Sequence, residues 1–329
     1  MLQFTVALIA LLVSLPAGAG QDGAYLHWNI DHTQRTPRPA HPLTPAETTI
    51  VDHYVLTHDR EGRLATVTFM HNGRPAAGGE HGVATVEFIY GQDKTTEQYR
   101  DADGKPTSSR STFRKIYHHA GGGFWTRVSF ENEDGSLAQL SGGYNEIRVE
   151  RDDAGRVVRE TRHAEDGTIV PEHNGFQHAS FVYDERDFAR YRQYLDSAGR
   201  LKNGALGYAR VAFKFDEHGN FLEEHAEDET GAPATLSAGF HRIEWREFNR
   251  HELPARVYYF GPRGYVYKPY AYSVRDYLPS TQRKRIAFFG PTGEPVMHPQ
   301  GFHSISFDYA EDGSVQSRTR FDTAGKPIE

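Results

Sequence analysis

Residues 215–233 read FDEHGNFLEEHAEDETGAP, and within them two short turn-forming clusters, DEHGN and DETGAP, place Gly219 and Gly231 twelve positions apart. Asp hydrogen-bonds the backbone two residues on, and Gly adopts positive φ without a steric penalty, so both clusters predict reverse turns. Upstream, ARVAFKF puts Val211, Phe213 and Phe215 on one side of an extended chain and Arg210 and Lys214 on the other. That alternation is the signature of a strand with one covered face. A second extended segment, FLEEHAED, follows the first turn, so the stretch predicts a β-hairpin closed by a return loop.

The pattern recurs. A glycine equivalent to Gly231 stands at Gly73, Gly104, Gly135, Gly167, Gly199, Gly264, Gly293 and Gly325, in steps of 29 to 33 residues when Gly231 is included. Proline follows two places on at Pro75, Pro106, Pro233, Pro295 and Pro327. A second marker, Gly followed by an aromatic, gives Tyr144, Phe176, Tyr208, Phe240 and Phe302. First-turn glycines at Gly62, Gly155, Gly219 and Gly313 keep the same phase. Three markers in register predict an all-β fold: an array of about nine 31–33-residue β-hairpin repeats over 53–329, forming an elongated antiparallel sheet or solenoid. One hairpin is marginal in water, so each must lean on its neighbours. Stretches with 3.6-residue apolar periodicity and caps are almost absent.

GYARVAFKFDEHGNFLEE, YRDADGKP and RFDTAGKP resemble the consensus of bacterial exported YD-type repeat proteins, akin to RHS and MORN repeats, which runs G-Y-A-x-V-x-Y-x-Y-D-E-x-G-N-x-x-E-x-x-Y-F-D-x-D-G-K-P. The resemblance covers most of the chain and implies a β-repeat array; it transfers no catalytic residue. YGQDKTTE, YDERDFARY and FNRHELPA depart from it by lacking the first-turn glycine, which leaves their turn type open.

Composition bounds the function. Residues 5–19, TVALIALLVSLPAGA, are apolar but too short to span a bilayer, and they end in a small-x-small cleavage pattern. A signal peptide over 1–19 is expected, with no transmembrane segment after its removal and a periplasmic or secreted location. Residues 20–52 are Pro-rich and aperiodic and read as a linker or N-terminal strap. The absence of cysteine excludes disulfides, thiolate metal sites and cysteine nucleophiles. A net charge of −7 argues against general nucleic-acid binding. Mean hydropathy of −0.67 beside 12% aromatic residues predicts a thin, exposed but ordered structure.

Sites of chemistry are few. The histidine pairs His173/His178 and His298/His303 lie four repeats apart, so no metal and no cofactor is expected. DADG at 101–104 lacks the remaining ligands of a calcium loop. G-x-S-x-G and H-E-x-x-H motifs are missing, and the many carboxylates fit solvated strand faces. The strongest departure is RVYYFGPRGYVYKPYAYSVRDYLPSTQRKR at 256–285, with a local charge of +6 in an acidic chain. Stacking rings and cations there make Arg263, Tyr265, Tyr267, Lys268, Tyr270, Tyr272, Arg283, Lys284 and Arg285 candidate ligand-binding residues. The expected function is a non-enzymatic binding or scaffold surface for an envelope protein or an anionic glycan. The alternatives are a carboxylate-dependent glycan-active enzyme and an accessory or immunity partner of a secreted toxin.

Overall fold

The computed structural model describes residues 22–29, 38–79, 81–120, 124–172, 175–217, 219–236, 239–263 and 269–328. The signal-peptide expectation falls outside them. Apart from a single 3-10 turn at Glu47–Thr49, the regular structure among the described residues is β-strand, and every strand pairing is antiparallel.

Among the described residues, the first strands of successive repeats begin at His53, Thr85, Arg114, Glu146, His178, Arg210, Arg242, Tyr272 and Ser304, with steps of 29 to 32 residues. The second strand of one hairpin pairs with the first strand of the next: Glu223, Glu224 and His225 face Glu244, Ile243 and Arg242. Arg285, Ile286 and Ala287 face Ser306, Ile305 and Ser304 in the same way. Each repeat therefore supplies a neighbour's missing hydrogen bonds as well as its own.

The chain divides into two compact units, Met1–Ala189 and Arg190–Glu329. In the first, the described part of 20–52 contains the strands Gly23–Asn29 and Arg38–Pro42. Gly23–Asn29 pairs with His53–His58, so this segment is a further hairpin on the first repeat. The apolar face of this unit buries Leu56, Val67, Val86, Tyr117, Trp125, Val128 and Ile147 in one cluster. Each such side chain contributes roughly 1.5–3 kcal/mol on burial.

The Gly-aromatic marker explains itself in the fold. Tyr144, Phe176, Tyr208, Phe240 and Phe302 are all buried, each at the end of a return loop that folds back over the sheet. In that loop, Gly239 donates its N–H to the carbonyl of Leu236, and Leu236 donates to that of Phe240. Phe240 then packs on Tyr259, with ring centroids 5.0 Å apart.

Two of the three segments without a first-turn glycine, YDERDFARY and FNRHELPA, form the same turn, whereas YGQDKTTE closes more tightly, with its strands in register to Tyr90 and Thr95 and Gly91 donating to the Lys94 carbonyl. Asp184 accepts the N–H groups of Arg186 and Phe188 on Oδ1, as Asp59 does from Glu61 and Arg63. Asn249 does so for His251 and Leu253. The left-handed position that Gly62 and Gly155 occupy is filled here by Asp187 at φ 68° and Glu252 at φ 56°. In the Tyr-rich repeat it is filled by Thr281 at φ 74°. At Asp184 and Asn249 the side-chain acceptor enforces the turn against the strain, while Leu278 stands in that place in the Tyr-rich repeat and main-chain bonds from Leu278 to Gln282 and from Thr281 to Leu278 close it.

Candidate functional site

The site builds up on the sheet face opposite the apolar side chains of the second unit. Strand pairing places Tyr258 beside Tyr272 and Tyr272 beside Phe289 on that one face. Their rings form a row: Tyr258 to Tyr272 is 5.3 Å between centroids at 32°, and Tyr272 to Phe289 is 5.3 Å at 17°. The three rings are half-buried.

Guanidinium groups lie over the rings. Arg246 sits 4.7 Å from the Tyr258 centroid, Arg242 4.2 Å from that of Phe260, and Arg256 5.7 Å from that of Tyr272. Carboxylates share these cations: Glu244 pairs with both Arg242 and Arg246, and Glu247 with Arg256. The arrangement is a π-surface with partly neutralised cations, suited to stacking against a flat or ring-shaped group with hydrogen bonds at its margin.

The sequence-derived candidates separate on this framework. Tyr272 is the middle ring of the row. Tyr265, Tyr267 and Lys268 lie outside the described residues. Arg263 is exposed and forms no ion pair among the described residues.

Tyr270 is a correction. It is 6% exposed, on the other face, with its ring against Tyr259, Phe288 and His298 at 5.0 to 5.2 Å. It occupies the phase of Phe240 and Phe302, so it is a core aromatic and offers no ring to a ligand.

Arg283, Lys284 and Arg285 do not form one patch. A bulge sets Arg283 opposite Tyr277 and Arg285 opposite Asp276, which sends these two arginines to opposite faces. Lys284 is the extra, exposed residue between them, while Arg285 donates Nη2 to Ser304 Oγ at 3.1 Å. The sequence reading missed Arg242, Arg246 and Phe289 as members of the row. Their signal lay in strand phase, since cross-strand partners share a face only once the register is known.

Other candidate chemistry resolves into structure. His298 stacks on Phe302 at 5.1 Å, and His178 and His303 are buried; His173 lies outside the described residues. Among the described residues no group of three or more His, Asp or Glu is arranged to hold a metal ion. Asp101 spends Oδ1 on the N–H groups of Asp103 and Lys105, as a turn requires.

Two carboxylates stand apart on the apolar faces, Glu97 buried and Glu224 half-buried. Glu97, 1% exposed in the first unit, accepts from Tyr99 and Tyr117 hydroxyls at 2.6 Å and from Lys115 Nζ at 2.8 Å. Burial opposes its charge, but Lys115, His81 and these hydrogen bonds outweigh it and hold the carboxyl down at about 2. Glu224 in the second unit faces Phe213 and Ile243, and burial alone pushes its carboxyl up to about 7.

Together these features define a class, the all-β hairpin-repeat proteins that carry side-chain ladders on an open sheet face. No family model matches the chain, and no curated protein matches it by sequence. Solved structures similar to it include the crystal structure of TcdB2-TccC3-TEV, at TM-score 0.32 and 12% identity, covering 87% of this chain and 12% of that one. A porin-like protein from Bacteroides uniformis has TM-score 0.30 and 8% identity, covering 72% of this chain and 88% of that one. The Photorhabdus luminescens Tc holotoxin pore has TM-score 0.25 and 9% identity, covering 88% and 19%. The chain thus spans less than a fifth of the toxin-complex chains it matches. No helix among the described residues is long and apolar enough to cross a membrane.

Proposed function

We propose that this chain is an exported, non-enzymatic YD-type repeat protein, periplasmic or secreted, that presents the ring row of its second unit to an envelope partner carrying an anionic glycan. The observation that carries the reading is the stacked row Tyr258, Tyr272 and Phe289 with guanidinium groups over its rings. The exposed cations Arg263 and Lys284, one in each of the two repeats that supply the row, add positive charge for a carboxylate or sulfate.

The YD-type assignment rests on the turn chemistry. Asp59, Asp152, Asp184 and Asp216 each accept the N–H four residues on, and a buried apolar residue closes each return loop: Val83 in the first of these repeats and the aromatics Phe176, Tyr208 and Phe240 in the others.

The test is a pull-down from envelope extracts with the signal-free chain, followed by identification of retained proteins and glycans. Wild type is expected to retain an acidic polymer, and a Tyr258→Ala/Tyr272→Ala variant to lose it. Equal retention by a variant with an unchanged circular-dichroism spectrum would overturn the reading. Release of reducing ends from the retained polymer would replace it with an enzymatic one.

A further inference from the structure

A pocket of about 360 Å³ opens in the first unit, lined by Thr48, Thr49, His53, Met70, Asn72 and Gly73. It lies far in sequence from the ring row and belongs to no part of the binding surface described above. Its volume is at the lower end of those that take small molecules.

The hydrogen bonds already made around it determine what remains on offer. His53 is 4% exposed, and its Nδ1 lies 2.7 Å from the carbonyl oxygen of Val51. A carbonyl only accepts, so Nδ1 carries the proton, and in the neutral ring Nε2 is left as an acceptor. Nε2 has no hydrogen-bond partner among the described residues. Thr48 and Thr49 donate their hydroxyls to the carbonyls of Pro45 and Ala46 at 2.9 and 2.8 Å, so their side chains keep only lone pairs.

Behind the wall, His71 donates from Nδ1 to Asp52 Oδ1 at 2.7 Å and accepts from Asn72 Nδ2 at 3.0 Å. That relay fixes which end of the Asn72 amide is nitrogen. Asn72 is left with its carbonyl oxygen and one N–H. The lining is therefore rich in neutral acceptors, with one spare donor, beside the apolar wall of Met70.

We propose that this pocket binds one pyranose ring of a neutral sugar. Sugar hydroxyls donate to His53 Nε2, the Thr48 and Thr49 oxygens and Asn72 Oδ1, while the C–H face of the ring rests on Met70. A small organic cation is the poorer match, because no carboxylate lines the pocket to offset its desolvation. Water alone would leave the Met70 wall unused.

The test is heteronuclear NMR on the signal-free chain, with methyl α-D-glucopyranoside, methyl α-D-mannopyranoside and methyl β-D-galactopyranoside as probes. At least one glycoside is expected to give saturable shifts at the amides of His53 and Asn72 and at His53 Nε2, with a millimolar Kd. Asn72→Gly removes the amide without straining the turn, since Asn72 already sits at φ 49°. It should weaken binding by about tenfold, the loss of one good hydrogen bond. His53→Phe should abolish it, and Asn72→Gly keeps the test decisive if that variant fails to fold.

Strictly linear shifts with all three glycosides would overturn the proposal and leave a water-filled cleft. Equal Kd in Asn72→Gly would overturn it too, as would saturation by tetramethylammonium without saturation by any sugar. The readout residues share none with the ring row, so failure here and failure of the envelope-binding reading are distinguishable.

Discussion

The hydroxyl of Tyr309 donates to the main-chain carbonyl of Arg283 at 2.7 Å, reaching from the end of one hairpin's first strand to the start of the previous hairpin's second strand. The same stitch runs from Tyr90 to Leu64 at 2.8 Å and from Tyr277 to Pro254 at 3.1 Å, and it also joins Tyr183 to Val157. In one repeat an arginine replaces the tyrosine: Arg151 donates Nε to the Trp125 carbonyl at 2.9 Å. The residue that ends each of these first strands thus ties repeat to repeat, whether the turn after it opens on an aspartate, as at Asp184 and Asp152, or on Gly91, Leu278 or Ala310.

Two substitutions test the stitch in opposite directions. Tyr309→Phe should lower the free energy of unfolding by about 1 kcal/mol, the net worth of one hydrogen bond. Phe248 occupies the tyrosine position in its own repeat and faces Pro254 as Tyr277 faces Arg283. Phe248→Tyr is expected to add a bond to the Phe221 carbonyl and raise stability by a similar amount. Urea midpoints measured side by side give both signs.

Backbone strain at the non-glycine turns predicts a gain. Thr281 is β-branched and held at φ 74°, a conformation that costs an L-residue roughly 1–2 kcal/mol. Thr281→Gly should raise the thermal midpoint accordingly. Gly155→Ala should do the reverse, and more strongly, because φ is 79° there and a Cβ would lie 2.6 Å from the Phe124 ring. Gly62→Ala, with open space around it, should cost only the φ term.

Glu224 predicts a loss of stability on the alkaline side. Its folded carboxyl titrates near 7, above an unfolded value of 4.5, so the folded state binds the extra proton. Stability then falls as pH rises from 4.5 through 7 and is level beyond, by up to about 3 kcal/mol. Glu224→Gln should remove that slope and be the more stable protein at pH 8. Denaturation curves at pH 5 and pH 8 check both statements.

Glu97 predicts the opposite limb. Its folded carboxyl titrates at about 2, below the unfolded value of 4.5, so its contribution is present above 4.5 and disappears as pH falls toward 2. Glu97→Gln leaves the half-buried Lys115 ammonium without its counter-charge and should cost about 3 kcal/mol at pH 7. The variant should also lack the wild-type acid slope that Glu97 provides.

The architecture was legible because its signals are local and repeated. An Asp-x-x-Gly cluster between alternating runs specifies a turn and two strands wherever it occurs, and recurrence near every 32 residues told each hairpin where its neighbour must stand. Tyr144, Phe176 and Phe302 were visible as markers, though their burial as loop-end plugs was not. The candidate site was only half legible. Tyr272 was picked out by the local wealth of tyrosine, but so was Tyr270, two residues away on the same side of an ideal strand. Tyr270 precedes the strand Tyr272–Tyr277 and ends a return loop, so strand alternation does not govern it.

The hairpins, their period, the turn positions and the apolar face follow from the sequence alone, because each depends on residues a few positions apart whose φ preferences and polarity act locally. The ring row, the split of Arg283 from Arg285, the buried Glu97 network and the His53 pocket were decided only in three dimensions. Each joins side chains from different hairpins, or from a hairpin and its flanking turn, and a one-residue bulge such as the one at Lys284 changes which face a side chain meets without leaving a mark in composition.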